Sequence, residues 1–313
     1  MQVYVPAHLD AKTLYGVMSQ VMDDLGELRS NRFAFDLRKL VSITPVGVVT
    51  LSNLVEWLRM RGASCAFSFP SLAAGDAATR MLAASGFLHL YGDGPGPDAF
   101  HMDPHVLSLR RLKPHAGIAW LEECLNPWIA RTTRRPLSFI ADATRVVREV
   151  FSNTSRHAGP VPVLLLARYE ADENCIRLVA SDCGTGIPNT IRAFHARPLN
   201  DAAALLYAVE KGYTPGKPPV NGLARLAHTV TFQGGGQLNL VAGRGCVRCY
   251  QSEGRYILQP RMTHALYPGT LCEIMLNTRA LSPVLQLNEP ASHPQYVAEQ
   301  ALFERFALAG GLG

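Results

Sequence analysis

Ser181-Asp182-Cys183-Gly184-Thr185-Gly186-Ile187-Pro188 closes an apolar run with a carboxylate and then two glycines spaced by one residue. The run before it, residues 174–180, has the length and content of a β-strand. Asp182 therefore stands where a strand ends, and the glycines open the loop that follows. Taken alone, Asp-x-Gly-x-Gly is equally a plain turn, so its meaning depends on what lies upstream.

Upstream, residues 140–157 read as a helix in which Glu149, Asn153 and His157 recur at i, i+4 and i+8 and so share one side. Val146, Val147, Val150 and Phe151 supply a neighbouring side for burial. An asparagine amide oxygen can coordinate Mg, and a carboxylate one turn earlier can orient or deprotonate water at a terminal phosphate. Beyond the strand, a carboxylate at Asp182 can accept a hydrogen bond from an adenine amino group, and glycines let the backbone approach a base or sugar. The helix by itself is also satisfied as an amphipathic helix with a solvated polar side. The two segments in sequence favour a site.

In combination, residues 149–157 and 182–188 resemble the asparagine box and first glycine box of the Bergerat-fold (GHKL) ATPases. That superfamily includes gyrase B, the large heat-shock chaperones, mismatch-repair proteins, histidine kinases and the anti-sigma-factor serine kinases. The resemblance covers residues 139–277. It implies ATP and Mg as cofactors, Glu149 as the catalytic general base, Asn153 as the Mg ligand, Asp182 as the adenine-reading carboxylate, and Gly184 and Gly186 beneath the nucleotide. Asn221-Gly222-Leu223 resembles the remains of a second glycine box, at the start of a helix whose amides would face phosphate. Gly269-Thr270 is similar to the late Gly-Thr pair whose threonine supports the adenine-binding aspartate, often through water. One departure is that 218–222, Pro-Pro-Val-Asn-Gly, has fewer glycines than active relatives carry. Lys211, Lys217, Arg225 and Arg244 are candidates to offset phosphate charge, though such residues are more often plain surface residues. ATP binding is thus better supported than ATP turnover. The histidines ahead of this region, His101, His105 and His115, lack a two-helix dimerisation unit around them, which argues against a histidine-kinase phosphoacceptor.

Working towards the N-terminus, strand, helix, strand, helix, strand, helix alternate over the first 90 or so residues, an α/β arrangement with crossover helices. Pro45 is placed to begin a helix that Gly62 ends. The strand at 33–37, the loop Val41-Ser42-Ile43-Thr44-Pro45-Val46-Gly47 and this helix resemble a STAS domain, the module of anti-sigma-factor antagonists. Thr44, Pro45 and Val46 stand where regulated members have an aspartate and serines, so Ser42 and Thr44 read as turn or cap residues. The expected fold class is α/β plus α+β. A STAS-like α/β domain (1–95) is followed by a linker and connecting helix (96–138). A Bergerat-fold α/β sandwich (139–277), with helices on one face of a mixed, mainly antiparallel sheet, precedes a C-terminal extension (278–313). Within the sandwich, the glycine- and proline-containing stretch 188–221 is expected to close over nucleotide.

Thirty lysines and arginines against 25 acidic residues give a formal charge of +5, without a long basic tract, so a nucleic-acid partner is not expected. Seven cysteines at irregular positions, and an N-terminus without the basic opening and apolar run of an export signal, lead to the expectation of a reducing cytoplasm. The apolar run 161–167 is too short for a bilayer and suits a buried strand, so no membrane partner is expected. Cys246-x-x-Cys249 lies on an expected strand, where residues three apart face opposite ways, which favours structural cysteines over a metal or redox pair. Cys183 is expected to pack beside the nucleotide site. The functional expectation is a Mg-ATP-binding regulatory protein with a protein partner and homodimerisation, and a serine/threonine kinase activity of the anti-sigma-factor type. The alternatives are an ATP hydrolase driving a conformational cycle and a degenerate ATPase fold serving as a protein-interaction module.

Overall fold

A computed structural model describes residues 1–70, 76–92, 103–193, 198–210 and 222–281. The described residues form a mixed α/β molecule with one parallel and one antiparallel main sheet. Residues 282–313 of the expected C-terminal extension lie outside them, as do Lys211, Lys217 and Asn221.

The N-terminal unit is built from β1 (Gln2–Tyr4), β2 (His8–Leu9), α1 (Leu14–Val21), β3 (Arg32–Asp36), β4 (Ser42–Ile43), α2 (Pro45–Met60), β5 (Ser64–Ser68), α3 (Ala77–Ala84) and α4 (Phe87–Tyr91). Strands β1, β3 and β5 pair in parallel in that order, with α1 and α2 as the crossovers. Thr44 begins α2 as its N-cap, its hydroxyl accepting from the Gly47 amide at 3.3 Å, and Pro45 takes the first helical position, where a missing N–H costs nothing. Gly62, at φ +77°, ends the helix.

The remaining elements are β6 (Val106–Leu112), α5 (Gly117–Trp120), a π-helical turn (Leu121–Leu125), α6 (Asn126–Thr133), α7 (Leu137–Ala143), α8 (Arg148–His157), β7 (Val163–Glu170), β8 (Cys175–Asp182), α9 (Ile187–Arg192), α10 (Asp201–Val209), α11 (Gly222–His228), β9 (Gln237–Ser252) and β10 (Arg255–Asn277). Their sheet has the order β6-β7-β8-β10-β9, with every neighbouring pair antiparallel, where a mixed sheet was expected. β9 and β10 form one long hairpin, in which the chain passes Gly243 and Gly269 by register shifts and not by turns. β6, inside the segment expected to connect two domains, is an edge strand of this sheet. The helix expected over 140–157 is interrupted at Thr144, whose buried hydroxyl donates to Asn126 Oδ1 at 2.7 Å. Residues 201–209, expected within a closing loop, form α10, with Ala202 to Leu206 buried over β9 and β10.

Helices α8, α10 and α11 cover one face of the antiparallel sheet, and α2 with α1 covers the other, where an open face was expected. The strands record this alternation. In β7, Val163, Leu165 and Ala167 join the helical-side core while Leu164 and Leu166 join the core shared with the N-terminal unit. A strand buried on both faces reads as a continuous apolar run, which is what 161–167 displays. Between the two sheets, α2 is buried along residues 45–58. Its buried Glu56 receives Arg111 Nε from β6 at 2.8 Å, tying the units together. No helix among the described residues is long and apolar enough to cross a membrane.

Because α2 packs against both sheets within the core shared by the two units, the units are expected to unfold as one. The three tryptophans allow a test, since Trp57 lies on α2 while Trp120 and Trp128 lie in the helical-side core. Variants retaining only Trp57 or only the other two should give the same urea midpoint. Leu54→Ala, a truncation at a fully buried α2 position, should move both together by about 2–5 kcal/mol. Two separated transitions would show independent units.

Candidate functional site

One pocket opens between α8, the end of β8, α9 and the start of α11. Glu149, Asn153, Asp182, Gly186, Gly222 and Thr270 line it, drawn from segments more than 100 residues apart in the chain. His157 and Arg156 stand at the end of α8, and Val150, Ala180, Ile187, Ile191, Leu223 and Leu240 give the pocket apolar walls. Of the residues expected to contact ligand, Gly184 does not line it, and Asn221 is outside the described residues.

Strand alternation aims Asp182 into the pocket. Ala180 on the same side of β8 belongs to the helical-side core, whereas Cys183 turns to the opposite face. Its Sγ lies 3.4 Å from Met60 Sδ of α2, so Cys183 packs against the N-terminal unit and not beside the pocket as expected. The Asp182 carboxylate accepts from the Gly184 amide at 2.9 Å and from the Thr270 backbone, with no cation paired to it among the described residues. Burial pushes its pKa up to about 6, against the lowering effect of those two bonds.

Two glycines make that arrangement sterically feasible. A Cβ on Gly184 would stand 2.1 Å from the Ala158 carbonyl oxygen, so the loop passes directly over the end of α8. Gly184 thus seats the loop on the helix that carries Glu149 and Asn153. Gly269, at φ +81°, is pressed on the Asp182 carbonyl, which a Cβ would meet at 2.0 Å. Next to it, Thr270 stands opposite Asp182 in the β8–β10 pairing.

At the other end of the pocket, Glu149 forms an ion pair with Arg225 of α11. Gly222, the first residue of α11, lies so close that a Cβ there would be 2.4 Å from Glu149 Oε2. Arg225 is therefore at the site, as the sequence allowed, while Arg244 is elsewhere, bound to Asp24 and the His264 carbonyl. The Asn153 side-chain nitrogen is buried without a hydrogen-bond partner among the described residues. Such an orphan inside a pocket is an unmet valence, and since the two ends of an amide are set by its partners, either end can be presented to a ligand. His157 is held below its ordinary pKa by burial and by the neighbouring Arg156 charge, which favours neutral imidazole.

Thr190, Arg156 and the isoleucines of α9 were not singled out in the sequence. The i, i+3, i+4 spacing of Ile187, Thr190 and Ile191 after the glycine loop is the signal that would have found them. Among the described residues, no cluster of three or more His, Cys, Asp or Glu could hold a metal ion by itself. Cys246 joins the edge of the core shared with the N-terminal unit and Cys249 the helical-side core, facing opposite ways as a strand requires. No protein-family model matches the chain, and no curated protein matches it.

The buried carboxylate makes a signed prediction. With its folded-state value raised to about 6, Asp182 penalises the native state above that pH. The penalty fades as the native state takes up a proton between about pH 6 and the ordinary carboxylate value near 4. Asp182→Asn keeps an acceptor for the Gly184 amide and removes the charge. It should therefore stabilise the protein at pH 7.5 by up to roughly 3 kcal/mol, a gain that shrinks steadily towards pH 4. Urea titrations at several pH values read the difference, and a gain that grows on acidification would contradict the assignment.

Proposed function

We propose that the protein binds ATP with Mg in this pocket and acts as a nucleotide-regulated protein in the cytoplasm, controlling a protein partner. The observation that carries the reading is the convergence of Glu149, Asn153, Asp182, Gly186, Gly222 and Thr270 on a single pocket where the buried Asn153 amide nitrogen has no partner among the described residues. The resemblance of these residues to Bergerat-fold ATPases, beside a STAS-like unit, supports a serine/threonine kinase of the anti-sigma-factor type as the finer reading.

The residues fit the group chemically. Asp182 would accept from the adenine amino group, the apolar walls at Ile187, Ile191 and Leu240 would flank the base, and Thr270 would brace the carboxylate from β10. Asn153 would offer its amide oxygen to Mg, and a site with one protein ligand is consistent with a cation held chiefly by phosphates and water. Bound Mg-ATP would supply a transferable phosphoryl group. Glu149 is positioned to accept a proton from the attacking hydroxyl or water once Arg225 releases it. While the ion pair holds, one carboxylate oxygen is engaged by the guanidinium. That contact favours binding over turnover and gives Arg225 a second role, as counter-charge to phosphate.

Calorimetric titration tests the proposal. Mg-ATP should bind wild type saturably, Asp182→Asn should lose about tenfold or more in affinity, and Glu149→Gln should retain binding while abolishing any phosphate release or transfer. Adenosine, with no phosphate to titrate, should bind more weakly as pH falls through about 6, and this dependence should vanish in Asp182→Asn. Absence of saturable binding by wild type, confirmed by equilibrium dialysis, would leave the fold as an interaction module.

A further inference from the structure

Asn53 is a polar side chain in the most buried stretch of the molecule, with no exposed surface. Its Nδ2 donates to the Pro268 carbonyl at 2.9 Å, across 215 residues of sequence and between the two units. Its amide oxygen has no partner among the described residues, so this bond is the recorded return on burying the group. Pro268 lies in the interval where β10 shifts register against β9, between Tyr267 and Thr270, so its carbonyl falls outside the regular ladder and needs a donor from elsewhere.

The next two residues are Gly269, pressed on the Asp182 carbonyl, and Thr270, opposite Asp182. On the other flank, Met60, two turns further along the same helix, touches Cys183. Helix α2 thus grips both sides of the strand end that presents Asp182, although Asn53 does not itself line the pocket.

We propose that Asn53 is a positioning residue for the candidate nucleotide site: its bond to Pro268 fixes the 268–270 corner against Asp182 and so sets the base-reading end of the pocket. This rests on reading the pocket as a nucleotide site. It also makes the N-terminal unit a structural part of that site. An apolar side chain at position 53 leaves the buried Pro268 carbonyl without its donor, so the corner loses its tether and the fold loses stability as well, which makes a control of comparable destabilisation necessary.

Adenosine affinity, its pH dependence and amide exchange at Gly184 and Thr270 are measured together in the full chain. The variants are Asn53→Leu, Asn53→Ala in case leucine does not fit, and Val48→Ala as a control for destabilisation within α2. Val48 is fully buried on the same helix and does not line the pocket. The Asn53 variants should lose about tenfold or more in adenosine affinity, shift the midpoint of its pH dependence, and exchange the Gly184 and Thr270 amides faster. Val48→Ala, at equal or greater loss of stability, should leave all three unchanged. Wild-type behaviour in the Asn53 variants, or losses that merely track stability as in Val48→Ala, would overturn the proposal. If wild type binds no adenosine, it is the nucleotide reading that fails. Amide exchange then decides positioning alone, unchanged rates overturning it and faster rates in the Asn53 variants sustaining it.

Discussion

Helix α2 is buried from Pro45 to Leu58 because a sheet lies on either side of it, the parallel β1-β3-β5 sheet and the antiparallel sheet containing β7, β8 and β10. A helix without a solvent face in a globular protein must be enclosed, and its sequence complies, with Val48, Val49, Leu51, Leu54, Val55 and Leu58 spread around it. The enclosure fixes the rest. It gives the antiparallel sheet a second dry face, makes β7 apolar at successive positions, and places two buried polar groups of α2 against partners from the other unit. Glu56 answers to Arg111 and Asn53 to Pro268.

The pocket lies on the opposite face of the same sheet, and its chemistry depends on that layering. A carboxylate at the end of a central strand, with both faces covered, loses most of its water, and at Asp182 the compensation comes from two backbone donors instead of a cation. Hydrogen bonding to the charged form opposes desolvation without cancelling it, which leaves the group poised near pH 6. The backbone bonds exist only because Gly184 and Gly269 permit approaches that any side chain would block. Steric emptiness at two positions is therefore as much a part of the site as the carboxylate.

How far the sequence disclosed this differed by element. The i, i+4 spacing of Glu149 and Asn153 and the Asp-x-Gly-x-Gly loop were legible because helical periodicity and glycine spacing are local signals, and the structure brings Glu149, Asn153, Asp182 and Gly186 to one pocket. The start of α2 was legible for the same reason, since Thr44 and Pro45 form a cap and a first turn. What was hidden is non-local. Nothing within Val106–Leu112 says that its partner is β7, so an edge strand read as part of a connection. Nor does α2 say which sheet covers its second face. The length of the β9–β10 hairpin was hidden too, because glycines within a strand mimic turns until the partner strand shows a register shift. Cys183 was misplaced because one step along the strand carries a side chain to the other core.

The contact between Glu149 and Arg225 bears on what such a pocket can do. Arg225 lies three residues after Gly222, the first residue of α11, which leaves no room for a side chain beside the carboxylate. The two residues approach because α11 starts against α8, so the ion pair reports the position of the helix as much as an affinity between charges. On the proposed nucleotide reading, a terminal phosphate entering between them would compete for the guanidinium with more charge than one carboxylate offers, and Glu149 would then be free to accept a proton. In the absence of phosphate the same pair keeps the carboxylate engaged. A site arranged in this way would couple the readiness of its base to the presence of the anion it acts on, with Arg225 as the shared partner.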